Sequence, residues 1–387
     1  MKKKRVLVLT DNMPWGHRSI ARAIYGFLKE KEVLGNYAVD YAEVKMLVST
    51  INDVYTLAYR YLPVSNKLTH RAMENGTLRK LFLETTDNNV EALRTAVEKY
   101  HPDLIISCYF LHSHSLVRWR KRKRLQYKLW TVAADPWTVN TLSFVDGADM
   151  HLVYDDVARK QAMRYGISKS KITETGWWTR GEMYDEKLQT SNLKLQIKEK
   201  MGIEEGEPVV FIGGGSLGTS AITKFLPVLL LIKQKCTIIF NTGTDKFAYR
   251  MVEQFRKIFN KIKLNKEVKI INLGWIDNMA QVLSVCDIVF GKAGPNFLFD
   301  VVASQKPFVA ITHIGGQEDG NIKLILKKKL GWVKEGLGQA EDFLIEYLKN
   351  PKKYNTKYSK TIELEAKNNQ KSMDKIWEMV QKCPTKS

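Results

Sequence analysis

Cysteine is scarce and unpaired: four residues in 387, at positions 108, 236, 286 and 383, with no CxxC spacing. Thiols so far apart give no zinc or iron–sulfur ligand set, and three of the four lie in or beside apolar runs, so they read as buried free thiols of a reducing compartment. Long hydrophobic runs are missing too. Phe225–Ile232 is among the longest and falls far short of the roughly 20 apolar residues that a membrane-spanning helix needs. Met1-Lys2-Lys3-Lys4-Arg5 carries the charge of a signal-peptide start, but Val6–Leu9 is too short for the hydrophobic region, and the segment reads as the first strand of the fold. Carboxylates are in deficit, 41 Asp+Glu against 61 Lys+Arg, for a net charge of +20.

That excess is spread evenly, with 27 basic and 17 acidic residues in positions 1–170 and 34 and 24 in the rest, or +10 each. One cluster breaks the evenness. Arg118, Trp119, Arg120, Lys121, Arg122, Lys123 and Arg124 put six cations and a tryptophan in seven positions. From charge alone two readings stand, a polybasic patch for an anionic membrane surface and a solvated loop. No nucleic-acid recognition motif accompanies the charge, so no nucleic-acid partner is expected.

What is present is alternation. Strand-like runs at Val6–Thr10, Tyr37–Ala42, Asp103–Cys108, Lys128–Val132 and His151–Val153 are interleaved with helical patterns over His17–Glu30 and Val90–Lys99. A second series, Pro208–Ile212, Thr237–Asn241, Val268–Ile271, Asp287–Phe290 and Phe308–Ile311, is interleaved with helices after Gly218 and over Phe247–Phe259. Such a pattern predicts an α/β protein with two Rossmann-like, doubly wound domains. We read residues 1–178 as the first domain, 179–192 as a linker, 193–350 as the second domain and 351–387 as a C-terminal helical segment. Tyr55, Tyr59 and Leu62 recur at helical spacing among Arg60, Lys67, Arg71, Arg79 and Lys80, a pattern that suits a core face or a membrane-facing element.

Gly213-Gly214-Gly215-Ser216-Leu217-Gly218 matches the dinucleotide fingerprint GxGxxG, but the next strand ends Ile239-Phe240-Asn241-Thr242-Gly243 without the carboxylate that a nicotinamide ribose requires. Glycine turns at Gly291–Gly294 and Gly315–Gly316 flank a short strand and precede helical runs. Two helix N-termini and the polar Gln317, Glu318 and Asn321 are thereby expected to converge on one phosphorylated ligand. His17 follows Gly16 at a helix start, where the dipole disfavours imidazolium and leaves a neutral ring able to accept a proton; a cap or surface role suits the same position. Asp11 lies in the same loop, and Asp135, after Leu129–Ala134, is the other acid/base candidate.

Taken together, Gly16-His17-Arg18, Asp135, Gly213-Gly214-Gly215, Leu273-Gly274-Trp275-Ile276-Asp277-Asn278-Met279, Gly291-Lys292-Ala293-Gly294-Pro295 and Gly316-Gln317-Glu318-Asp319-Gly320-Asn321 resemble the monogalactosyldiacylglycerol synthase and processive diacylglycerol glucosyltransferase group. These are inverting glycosyltransferases of the GT-B fold, related to the lipid-linked N-acetylglucosamine transferase of peptidoglycan synthesis. The resemblance implies two domains facing across a cleft, a last helix crossing back to the first domain, a UDP-sugar donor, a lipid acceptor such as diacylglycerol, no resident cofactor or metal, and activation by anionic lipid. It implies cytoplasmic placement, peripheral to the inner face of the cell membrane, with docking through Tyr55, Tyr59 and the 118–124 cluster. It assigns Gly294 and the helix beginning at Pro295 to the donor phosphate, Gly214 and Gly215 to the diphosphate or the reacting sugar, Asp300 to the ribose, Gln317 and Glu318 to the donor sugar, Asn296 and Asn321 to the donor site in general, and His17 and Asp135 to catalysis.

This chain departs from the group at three places. Asn296-Phe297 replaces a glycine and a threonine, Asp300 replaces a glutamate, and Asn140 stands where many relatives carry histidine. The rival expectations are a UDP-sugar epimerase, a transferase to a polyprenyl-linked acceptor, and a catalytically weak lipid-binding or regulatory homologue.

Overall fold

Val6, Leu7, Val8 and Leu9 are all buried, on both faces of their strand, as a parallel sheet covered by helices requires. In the computed structural model, which describes residues 3–13, 16–45, 68, 71–85, 90–214, 222–336 and 338–384, that run is the inner part of β1 (Lys4–Asp11). It is followed by α1 (Gly16–Glu30), β2 (Tyr37–Val44), α2 (Gly76–Thr85), α3 (Val90–Tyr100), β3 (Leu104–Ser107), α4 (Phe110–Lys123), β4 (Lys128–Val132), β5 (Met150–Val153), α5 (Asp156–Arg164) and β6 (Ile172–Glu174). All neighbours pair in parallel, in the order β2-β1-β3-β4-β5-β6. In α1 the buried positions Ile20, Ala21, Ala23, Ile24 and Leu28 recur at helical spacing, which fixes the face it lays on the sheet.

The second sheet contains β7 (Val209–Gly213), β8 (Cys236–Asn241), β9 (Val268–Leu273), β10 (Ile288–Lys292), β11 (Phe308–Thr312) and β12 (Gly331–Val333), ordered β12-β11-β10-β7-β8-β9 and again wholly parallel. Its helices are α6 (Ser191–Lys200), α7 (Lys246–Lys261), α8 (Met279–Val285), α9 (Pro295–Ala303), α10 (Asp319–Lys327), α11 (Gln339–Lys349), α12 (Pro351–Lys357) and α13 (Ser359–Gln370). Phe225, Phe240, Phe259 and Phe290 fill one core cluster with Leu344 and Tyr347.

The chain divides into two compact units: Met1–Gly181 with Ile314–Gly320 and Asn368–Ser387, and Glu182–His313 with Asn321–Lys367. The last helix, α14 (Ser372–Lys382), is therefore part of the first unit. Three side chains hold it there. The buried Lys4 ammonium donates to the carbonyls of Val380 (2.8 Å), Gln381 (3.2 Å) and Cys383 at the helix C-terminus, Trp377 packs edge-on against Tyr37 at 4.6 Å, and Asn369 accepts from the Trp177 N–H at 2.9 Å. A cation belongs at that helix end, where carbonyls lack partners and the dipole is negative.

Candidate functional site

In doubly wound sheets ligands lie beyond the carboxyl ends of the strands where the strand order reverses. In the first unit that point falls between β1 and β3, and the sequence puts Asp11 at the end of one strand and Cys108-Tyr109 after the other. His17, in the first turn of α1, is brought to this point: its Nδ1 lies 2.9 Å from the Cys108 carbonyl oxygen, and its ring meets Tyr109 (5.3 Å) and Phe110 (6.2 Å) edge-on. A carbonyl only accepts, so Nδ1 carries the hydrogen, and in the neutral ring Nε2 is the nitrogen with the lone pair. Asp11 is fully buried; burial pushes its carboxyl above the ordinary range, and the neighbouring His17 pulls it back down. Its Oδ2 has no hydrogen-bond partner, which leaves an acceptor available when His17 becomes charged.

Sequence reasoning missed His112, two residues into α4. It is wholly buried, stands edge-on to Tyr109 at 5.0 Å, and has no partner on either ring nitrogen. Burial, with the nearby His17, pushes its pKa down to about 3. His114 is pushed down to about 4, mainly by burial, and lies 2.9 Å from the Leu142 carbonyl through Nε2. Asp135 is buried beyond β4. Asn140 caps a single turn at Thr141–Ser143, its side chain accepting from the Leu142 N–H at 3.0 Å. The group's histidine position is thus occupied here by a capping residue.

In the second unit the reversal falls between β7 and β10, which pair Gly213 with Gly291. Gly291 is obligatory. A Cβ there would lie 2.5 Å from the Phe297 ring and 3.1 Å from the Gly213 carbonyl. Phe297, a departure from the group's pattern, packs between Phe211 and Phe308, each 5.9 Å away. The missing side chain at Gly291 is what lets the ring lie against the sheet.

Gly294 is the N-cap of α9 and brings no side chain to it, and Pro295 is its first residue. The amides of Asn296 and Phe297 belong to the first turn, where a helix has no carbonyl of its own to offer them. Asn321 in α10 is buried and donates from Nδ2 to the Ala293 carbonyl at 2.7 Å, tying the start of α10 to the turn that launches α9. Asp300 is half-buried on α9 and Gly214 is buried after β7. Gln317 and Glu318 are on the Ile314–Gly320 segment, which is grouped with the first unit. Glu318 is buried and folded back on its own loop: Oε2 accepts from the Ile314 N–H at 2.7 Å. Gly215, Tyr55 and Tyr59 lie outside the described residues.

The basic cluster needs correction on two points. Residues 118–123 are the C-terminal half of α4, not a loop, and Arg124 is its left-handed cap with φ 52°. Arg120 turns inward, to the carbonyls of Tyr127 (2.8 Å) and Gly147 and to Asp149, while Trp119 packs on the core beside Tyr127. The exposed part is Lys121, Arg122, Lys123 and Arg124. Burying one arginine against a loop of carbonyls and a carboxylate is cheaper than leaving those acceptors unpaired.

Residues 17–177 match the model of monogalactosyldiacylglycerol (MGDG) synthase, and residues 209–376 that of the glycosyltransferase family 28 C-terminal domain. The second half of the chain is thus matched by a glycosyltransferase family 28 C-terminal domain. Monogalactosyldiacylglycerol synthase 1 of Arabidopsis thaliana is 22% identical over 350 residues, covering 85% of this chain and 62% of the relative. The chain thus spans about three fifths of the length of that plant synthase. The processive diacylglycerol beta-glucosyltransferase of Bacillus licheniformis is 22% identical over 324 residues, covering 82% and 80%. Among solved structures, UDP-GlcNAc 2-epimerase from Neisseria meningitidis superposes with a TM-score of 0.61 at 13% identity, covering 98% of this chain and all of the other. HepE of Anabaena, solved with UDP, gives 0.58 at 12%, with the same coverage. At such identities these likenesses speak for the fold alone, which is GT-B.

Proposed function

We propose that this chain is an inverting glycosyltransferase that moves a hexose from a UDP-sugar to the hydroxyl of a lipid such as diacylglycerol, at an anionic membrane surface. The observation that carries the reading is the anchoring of His17 through Nδ1, which leaves Nε2 as a proton acceptor at the switch point of the first unit. In the reaction Nε2 takes the acceptor hydroxyl proton, the oxygen attacks the anomeric carbon from the face opposite the diphosphate, and the bond from that carbon to the diphosphate oxygen breaks with inversion. Asp11 stabilises the resulting imidazolium, the arrangement that its electrostatic coupling to His17 supports. The N-terminus of α9 stabilises the charge that grows on the leaving diphosphate through its helix dipole, and Asp300 accepts from the ribose hydroxyls. Asp135 is the alternative base. The exposed cations Lys121–Arg124 hold the first unit to anionic lipid.

A second acceptor class is favoured by one observation. A relative from Lactobacillus helveticus, 23% identical over 310 residues, is an N-acetylglucosamine transferase acting on a pyrophosphoryl-undecaprenol substrate. The test uses purified protein, labelled UDP-glucose or UDP-galactose, and liposomes with or without diacylglycerol and anionic lipid. Product that requires diacylglycerol, and is lost in His17→Ala while UDP binding measured by calorimetry persists, is the expected result. UDP binding with no lipid product would move the reading to a polyprenyl acceptor or to epimerisation, and no UDP binding would leave a lipid-binding or regulatory homologue.

A further inference from the structure

Among the described residues of the second unit the longest helix is α7, and it carries an exposed apolar stripe. Phe247, Met251, Ile258 and Ile262, the last just past the helix end, recur at helical spacing and are all exposed, Phe247 to 72% and the two isoleucines to 58% each. Sixteen residues at about 1.5 Å each make the stripe roughly 24 Å long. The opposite face is ordinary core, with Ala248, Val252 and Phe259 buried. At the end of the helix the stripe widens. Asn265 donates to the carbonyls of Leu229 and Ile232, at 2.9 and 2.7 Å, and so holds the exposed Leu230 and Leu231 beside the exposed Leu264.

Charge identifies the occupant. Lys246, Arg250, Lys257 and Lys261 are exposed and recur along one edge of the stripe. The helix has one acidic residue, Glu253, and it is paired with Arg256 at 2.6 Å. A second copy of the chain meeting this face about a two-fold axis would set these cations against their own likes. An anionic lipid surface satisfies both features, since the apolar side chains enter the interface while the lysine and arginine heads meet phosphate.

We propose that the exposed face of α7, with Leu230 and Leu231, is a membrane-docking surface of the donor-binding unit, independent of the α4 cations. It rests on the lipid-surface reading above and extends it to the other unit.

The experiment is flotation of the full chain with phosphatidylcholine vesicles, with and without phosphatidylglycerol. Phe247→Asp/Ile258→Asp is expected to lower partitioning onto the phosphatidylglycerol vesicles by about tenfold or more, and Lys257→Glu/Lys261→Glu to remove the preference for them, with UDP affinity unchanged in both. Arg122→Glu/Lys123→Glu in α4 serves as the comparison. Partitioning of both α7 variants at the wild-type level overturns the proposal while leaving the transferase reading in place. So does a change from dimer to monomer in the α7 variants without vesicles, which would make the face a contact between copies. Failure of the wild type to float overturns the docking surface, and transfer to diacylglycerol in detergent micelles then reports separately on the activity.

Discussion

Lowering the pH from 7 to 5 should weaken the first unit through its buried histidines, and His112 gives the cleanest case. Unfolded, its ring has the ordinary value of 6.5 and takes a proton as the pH drops below that; folded, it stays neutral down to about 3. The unfolded state therefore binds more protons throughout that window, so stability is complete above about pH 6.5 and falls as acid is added. At 1.36 kcal/mol per pH unit, and allowing for partial protonation of the unfolded ring at pH 7, the loss by pH 5 is about 2 kcal/mol. His114, held down to about 4 mainly by burial, adds a similar amount, and the sum is a large part of the ~5–15 kcal/mol that stabilises a typical domain. Asp11 acts in the opposite sense, because burial raises its carboxyl, and a comparison with a variant cancels it.

The assay is urea unfolding at pH 7, 6 and 5 for the wild type and His112→Leu. The leucine variant should be at least as stable at pH 7, because it replaces a ring whose two nitrogens are buried without partners. It should also lose about 2 kcal/mol less on going to pH 5. Parallel pH profiles for the two proteins would refute the reasoning, and a large loss of stability at pH 7 would mean that the imidazole has a partner in solution.

Gly291→Ala should weaken UDP binding by forcing the Phe297 ring, and with it the start of α9, away from β10; adding Phe297→Leu should restore much of the affinity, and calorimetry reads both. Asn140→Ala removes the cap on the Thr141–Ser143 turn and should cost about 1 kcal/mol in urea unfolding, an effect on stability with no effect on UDP affinity. Lys4→Met removes a buried ammonium that serves three carbonyls at the end of α14; a loss of about 1.5–3 kcal/mol and faster proteolysis within Ser372–Lys382 are expected.

The two sheets were legible because their strands are short, apolar and evenly spaced: Lys128–Val132 is the strand read from sequence, and β1 exceeds its reading by only three residues. The edge strands β6 and β12 were not legible, since Ile172-Thr173-Glu174 and Gly331-Trp332-Val333 are short and broken by polar residues or glycine, so no apolar run marks them. α4 escaped for a different reason. Its buried side is built from His112, Ser113 and Ser115 together with Leu111 and Leu116, so no hydrophobic stripe marks the helix. The glycine turn at Gly291–Gly294 predicted a helix start, and α9 begins there; the Asn321 amide joins that turn to α10, which sequence could only put on the far side of a strand. Arg120 was misread because charge in a sequence does not say which cation turns inward.

That misreading bears on the proposed function, because α4 carries residues of two proposed roles that the sequence presents as separate motifs. Its first turn carries Phe110 and His112, follows Tyr109, and forms the wall against which His17 is held; its last turn carries the exposed Lys121, Arg122 and Lys123. Cations at that end are favoured twice, by the partial negative charge of the helix C-terminus and by any anionic surface they meet. Arg120 clamps the same end to the 147–149 loop, so the cationic turn cannot fray without breaking partly buried hydrogen bonds. Contact with lipid at the basic end would therefore be made by an element whose other end positions the proposed base. Replacing Arg120 should disturb both ends of the helix, whereas replacing Arg122 and Lys123 should reduce lipid contact and leave His17 where it is.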